Sequence, residues 1–175
     1  MLIGILSDTH IPEAGNTLPQ HVYDLFKDVD LILHGGDMHD IKVLDWLETI
    51  APVKAARGNG DMMGRGDVPS DPRVKQTQVF TLERLRVGMV HDFPTPSEAA
   101  WEQLPVFMEH FFGEKVNIVV CGHTHQVASL HHDDTFIVNP GSVLLPNHKR
   151  DQLGTVALLE INGSSPHLEI VQLEY

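Results

Sequence analysis

The sequence predicts an α/β protein whose polar chemistry gathers at the C-terminal ends of its strands. Three observations carry this. The N-terminal part alternates short apolar runs with segments of helical spacing, and each apolar run ends in glycine beside a carboxylate, amide or imidazole. The C-terminal part holds only short β-like segments joined by turn residues. Strand, helix and strand in succession point to right-handed βαβ units with a site outside the strand ends.

The elements follow in order. Leu2 to Leu6 is an apolar run too short for a helix, and it delivers Ser7-Asp8-Thr9-His10. Gln20 to Asp28 sets Val22, Leu25 and Phe26, with Val29 just beyond, at helical spacing. Leu31 to Leu33 is the next strand and runs into His34-Gly35-Gly36-Asp37-Met38-His39. Asp40 is the expected N-cap of a helix carrying Ile41, Leu44, Trp46, Leu47 and Ile50 and stopping before Pro52. Val53 to Ala56 is a third strand, ending in Arg57-Gly58-Asn59-Gly60-Asp61. Met62 to Arg73, rich in Gly, Pro and Asp, reads as an exposed loop and a lid.

Gln76 to Leu82 and Leu85 to Val90 read as a hairpin turning near Glu83 and Arg84, with His91-Asp92 at its end. Ser97 is the expected cap of a helix with Trp101, Leu104, Phe107, Met108 and Phe111 on its apolar side, in which Pro105 starts a second piece. Val116 to Cys121 is a buried strand that throws off Gly122-His123-Thr124-His125. Gln126 to Leu130, Thr135 to Val138, Thr155 to Ile161 and His167 to Leu173 then predict mainly antiparallel sheet with no helix between.

Length and composition bound the function. A chain of 175 residues with 42% hydrophobic and 21% charged residues suits one globular domain spanning 1–175. A formal charge of -12 argues against a general grip on nucleic acid or on an anionic membrane. Cys121 is the only cysteine, so no intrachain disulfide forms, and neither a basic leader nor a membrane-length apolar run is present. A cytoplasmic protein is the expectation, with homo-oligomerisation left open.

The chemistry lies in a constellation rather than in one motif. His123 and His125, spaced i, i+2, would share a side in extended backbone, yet such a pair alone reads equally as two polar loop histidines. Asp8 and His10 repeat the spacing, and Asp37, Asn59 and His91 stand at three further strand ends. Oxygen and imidazole donors without thiolate favour manganese, iron, zinc or nickel over a structural thiolate zinc site. Seven ligands exceed what one tetrahedral ion needs, whereas two ions about 3.5 to 4 Å apart with a shared carboxylate would use them all.

The ordered blocks Asp8-Thr9-His10, Gly36-Asp37, Gly58-Asn59, His91, Gly122-His123-Thr124-His125 and Asn139-Pro140-Gly141-Ser142 resemble the calcineurin-like metallophosphoesterases. Within that superfamily they look like the small bacterial and archaeal phosphodiesterases related to the Vps29 fold. The resemblance covers nearly the whole chain. It implies a four-layer αββα sandwich, two mixed β-sheets flanked by helices, with the metal site at the strand C-terminal ends. It further implies two divalent ions, manganese first, with iron, zinc, nickel or cobalt compatible. Asp8, His10 and His125 would hold one ion and Asn59, His91 and His123 the other, with Asp37 bridging. Asp37, Asn59 and His91 would then act catalytically through the metals, a bridging hydroxide attacking the phosphorus of a small phosphoester.

Two departures from the family pattern bear on mechanism. Larger members carry a histidine after the Gly-Asn pair where Gly60 stands here, so the general acid is unassigned and leaving groups of low pKa are favoured. Asp61 follows Gly60 and reads either as a turn carboxylate or as a catalytic or supporting one. His91-Asp92-Phe93 replaces a His-Gly-His, which changes the substrate rim. Arg57 or Arg65 would add local attraction for phosphate. The competing class is a Vps29-like interaction scaffold, because the fold alone does not establish catalysis.

Among the other histidines, His21, His110, His148 and His167 read as solvated, and His131-His132 as the polar face of a hairpin. His34 and His39 flank Asp37 and read either as structural or as partners that orient a ligand.

Overall fold

The computed structural model describes residues 1–62, 68–94, 98–149 and 152–174. Strand β1 (Leu2–Leu6), helix α1 (Gln20–Phe26), β2 (Leu31–His34), α2 (Lys42–Glu48) and β3 (Val53–Ala56) form the two βαβ units. β1 pairs parallel with β2, and β2 with β3. A two-residue strand that the sequence did not announce, β4 (Val74–Lys75), extends the same edge.

β5 (Thr77–Leu82) and β6 (Leu85–Val90) make the expected hairpin, and β6 then pairs parallel with β7 (Ile118–Val120). Between them, a 3-10 helix (Glu98–Gln103) leads into α3 (Leu104–Phe112), with Pro105 in its first turn, where the missing N–H costs nothing. Ser97, the expected cap, lies outside the described residues. Asp40 is not the N-cap of α2, which is Ile41, but its carboxylate accepts the Lys42 N–H at 2.9 Å just before the helix.

The C-terminal strands are antiparallel hairpins, but they divide between two sheets. β8 (Val127–His132) and β9 (Thr135–Pro140) join the second sheet, where β9 runs parallel to β7. β10 (Thr155–Asn162) and β11 (Ser165–Gln172) return to the first, with β10 antiparallel to β1. The result is a six-stranded sheet, β11-β10-β1-β2-β3-β4, and a five-stranded sheet, β5-β6-β7-β9-β8.

Alternation along the strands builds four layers. Ile3, Ile5, Leu31 and Leu33 point at Val87, Met89, Ile118 and Val120 of the other sheet, forming the central core. Leu6 and Ile32 face the opposite way, onto Val22 and Phe26 of α1 and Leu44 and Leu47 of α2. On the far side, Val119, Cys121 and Ile137 meet Leu104 and Met108 of α3. The fold is therefore an αββα sandwich, and strands buried on both faces read as continuous apolar runs for that reason.

This layering aims the C-terminal ends of β1, β2, β3, β6 and β7 at one edge of the sandwich. Truncating the shared core should loosen all of them together. Ile5→Ala, at a position with no solvent exposure, should cost about 2 to 5 kcal/mol in a urea unfolding titration.

Candidate metal centre

The residues after each strand leave extended geometry at once. Asp8, His10, Asp37, His39, His123 and His125 all have positive φ, between 48° and 72°. This corrects the expectation that i, i+2 pairs share a side because the backbone is extended. The pairs are presented by left-handed residues, each costing of the order of 1 kcal/mol or more in a non-glycine residue, a strain that survives only where neighbours enforce it.

The neighbours here are hydrogen bonds between loops. Asp8 and His10 donate their N–H groups to the carbonyls of Gly36 and Asp37, Gly122 donates to His91, and the His123 N–H reaches Asp8 Oδ2 at 3.1 Å. Gly122 is needed for close approach rather than for its own φ, because a Cβ there would run into Ser7 Oγ.

Asp8 is fully buried, its Oδ2 accepting the Ser7 hydroxyl at 2.5 Å. Its Oδ1 lies 3.4 Å from His125 Nε2, 3.8 Å from His10 Nε2 and 3.9 Å from His91 Nε2. Asp37 is also buried; Oδ1 accepts the Gly60 N–H at 2.6 Å, leaving Oδ2 between His91 Nε2 at 3.4 Å and His10 Nε2 at 3.7 Å. Asn59 Oδ1 and His123 Nδ1 face each other at 3.0 Å on the more exposed side. The seven residues singled out from the sequence lie around these carboxylates; Asp8-His10-His125 and Asp8-Asp37-His91 each bring three donor atoms within 4.8 Å of one another, as do His10, Glu13 and His39 beside them.

The orientation of the imidazoles is set from behind. His91 Nδ1 donates to the Gly35 carbonyl at 2.8 Å and His125 Nδ1 to the Leu145 carbonyl at 2.7 Å, so each turns its Nε2 toward the carboxylates, with His125 Nε2 also 3.1 Å from His10 Nε2. His91 Nε2 is buried without a hydrogen-bond partner. A buried ring nitrogen without a hydrogen-bond partner, facing two buried carboxylates, fits a divalent cation that would displace its proton.

In the metal-free chain the buried carboxylates favour a proton on His91, which a bound cation would replace. Burial opposes charge on Asp37, but its hydrogen bond and charge pairing with His91, the Gly60 amide and His10 hold it well below the usual carboxylate range. Burial likewise opposes a charged His91, yet Asp37 and Asp8 prevail and push it up to about 9. Burial lowers the pKa of His125, favouring the neutral form that a metal ligand needs.

Several supporting residues carried no clear signal in the sequence. Asp61 is buried, and its carboxylate accepts the N–H groups of Asp37, His39 and Gly58 at 3.0, 2.8 and 2.8 Å. It is a brace for two site loops, which decides its reading against a catalytic acid; burial raises its pKa against those amides. Arg57 does not reach for phosphate, because its guanidinium is bound to the carbonyls of Asp61, Val68 and Pro69. Arg65 lies outside the described residues, as does the middle of the expected lid. Phe93 is buried among Phe107, Phe111 and Phe112, so of the two altered residues after His91 only Asp92 belongs to the rim.

Asn139 binds the Gly122 carbonyl and Thr124 Oγ1, and Ser142 Oγ binds the Asp8 carbonyl, so the Asn-Pro-Gly-Ser block clamps both histidine loops. His148 is exposed, as expected, and its ring also stacks on His125 at 4.1 Å. His34 is a buried structural histidine, accepting the Gly36 N–H and paired with Thr9, with its pKa pushed by burial down to about 4. His39 is buried against Glu13, 2.7 Å from its carboxylate, and its ring fills the space a side chain on Gly60 would need.

The model of the calcineurin-like phosphoesterase superfamily domain matches residues 1–164. The chain belongs to that superfamily. A probable metallophosphoesterase of Methanothermobacter thermautotrophicus is 35% identical over 174 residues, covering 98% of this chain and 92% of its own length. Among solved structures, Vps29 of Chaetomium thermophilum superposes with a TM-score of 0.76 at 23% identity, covering 99% of this chain and 92% of that one. A novel archaeal phosphodiesterase superposes with a TM-score of 0.66 at 21% identity, covering 98% and 100%. At these identities the structural matches show the fold, while the superfamily match and the curated relative support a phosphoesterase.

The brace can be tested apart from any metal. Asp61→Ala leaves three buried amides without an acceptor and should lower stability by about 3 kcal/mol or more in chelator-treated protein, read as a shift of the urea midpoint.

Proposed function

We propose that this chain is a metal-dependent phosphodiesterase with a binuclear centre. The observation that carries the reading is Asp37 Oδ2, which lies between His10 Nε2 and His91 Nε2, imidazoles of the two different ligand sets. Asp8, His10 and His125 would hold one divalent ion, Asn59, His91 and His123 the second, and Asp37 both. Manganese suits the mixed oxygen and imidazole donors best, with iron, zinc, nickel and cobalt compatible. When bound, such a pair supplies an acidified water as nucleophile and neutralises charge on the phosphoryl oxygens.

The residues of the chain do the positioning. Gly60 N–H fixes one oxygen of Asp37 so that the other is free to be shared, and the Gly35 and Leu145 carbonyls hold His91 and His125 in the ligating tautomer. Position 60 offers no side chain to protonate a leaving group and Asp61 is committed to three amides, which supports diesters and activated esters as substrates. The scaffold reading shares the fold, but a scaffold has no need of seven competent ligands, two of them buried carboxylates. A cytoplasmic setting, a small phosphoester as partner and no general affinity for nucleic acid complete the reading. It is compatible with the buried lone Cys121, whose thiol pKa burial pushes up to about 12, and with the described helices, none of which is long and apolar enough to cross a membrane.

Purified protein supplied with manganese should hydrolyse bis(4-nitrophenyl) phosphate, measured by nitrophenolate release. No turnover with manganese, iron, zinc, nickel or cobalt would favour the scaffold. Asp37→Asn and His91→Ala should each reduce kcat by about a thousandfold or more with circular dichroism unchanged; full activity in either would remove the shared-carboxylate assignment.

A further inference from the structure

A cleft of about 340 Å³ opens beside the second ligand set, lined by Asn59, His91 and His123 together with Met62, Gln76, Val90, Asp92, Phe111 and Arg57. Its size is at the low end for small-molecule sites, room for one ring-sized group rather than a long chain. Its character is uneven. Met62 is 48% exposed, and Val90 and Phe111 add apolar wall. Arg57 is the one arginine or lysine among the described lining residues, and its guanidinium is spent on three backbone carbonyls. Asp92 stands at the rim with its side chain 70% exposed, 3.9 Å from His123 Nε2, and is the one formal negative charge in the lining.

A phosphoryl group held at the donor pocket would present one of its substituents to this cleft. An apolar or flat substituent there buries area against Met62, Val90 and Phe111. A substituent carrying its own negative charge that reaches past the donor pocket meets Asp92 at the rim with no free arginine or lysine among the described lining residues to offset it. The Gln76 amide offers polar contact without charge. We infer that the cleft is a subsite for an uncharged, partly apolar or aromatic arm of the phosphoester, and that Asp92 excludes arms bearing a second phosphate or a carboxylate. This rests on the phosphodiesterase reading for what occupies the donor pocket, and it adds which esters are taken.

The test uses phosphonates, whose carbon–phosphorus bond this chemistry does not cleave. Manganese-loaded full-length protein is titrated calorimetrically with methylphosphonate, phenylphosphonate and 4-carboxyphenylphosphonate. Phenylphosphonate should bind about fivefold or more tighter than methylphosphonate, and Met62→Ser should reduce that advantage to about twofold or less. The 4-carboxy group should weaken binding about fivefold in the wild type, and Asp92→Asn should abolish the penalty. Equal binding of methyl- and phenylphosphonate, or a carboxylate penalty that survives Asp92→Asn, overturns the subsite. Absence of diester turnover with the phosphonate preferences intact would overturn the hydrolase and leave the subsite standing. Turnover without the preferences overturns the subsite alone, and failure of all three phosphonates to bind overturns both.

Discussion

Two carboxylates, Asp8 and Asp37, are buried at the edge where the two sheets meet, and the rest of the site answers to that fact. A buried charge is tolerated only when paired and hydrogen-bonded. Ser7 and the His123 N–H serve Asp8, and Gly60 serves Asp37, but one oxygen of each is left to the Nε2 atoms of His10, His91 and His125. Those imidazoles are themselves held by carbonyls or carboxylates behind them. The result is a pair of buried carboxylates with free oxygens facing imidazoles, a donor set that would suit a divalent cation.

The strained backbone follows from the same demand. Asp8, His10, Asp37, His123 and His125 adopt left-handed conformations because only a sharp departure from the strand brings five chain segments to one point. The loops bear the strain because they brace one another: Asp61 ties the Asp37 loop to Gly58, and Ser142 and Asn139 tie the loops of Asp8 and His123 to the turn after β9. The parallel order of β1, β2 and β3, and of β6, β7 and β9, is what places these loops on a common side.

Much of this was legible in the residues, for physical reasons that also mark the limit. Apolar runs such as Leu31 to Leu33 announce strands because both faces are buried, and the chemistry-bearing residues stand out because they interrupt those runs at their ends. The allocation of β10 and β11 to the first sheet was not legible, since a hairpin's alternation does not name the strand it pairs with. The role of Asp61 was ambiguous because a carboxylate after Gly60 looks the same whether it faces substrate or three amides. Arg57 looked free for phosphate because nothing in sequence marks the carbonyls of Val68 and Pro69 as its partners. His148 and the Leu145 carbonyl come from a segment without periodicity, so their approach to His125 had no signal at all.

In the proposed binuclear centre, Asp37 would be shared by both ions. The most direct measurement is a titration of metal-free protein with manganese, followed by electron paramagnetic resonance. The account predicts uptake of two ions per chain and the broadened spectrum of an exchange-coupled pair, as a shared carboxylate requires. A single equivalent giving the sharp six-line spectrum of an isolated ion would contradict it.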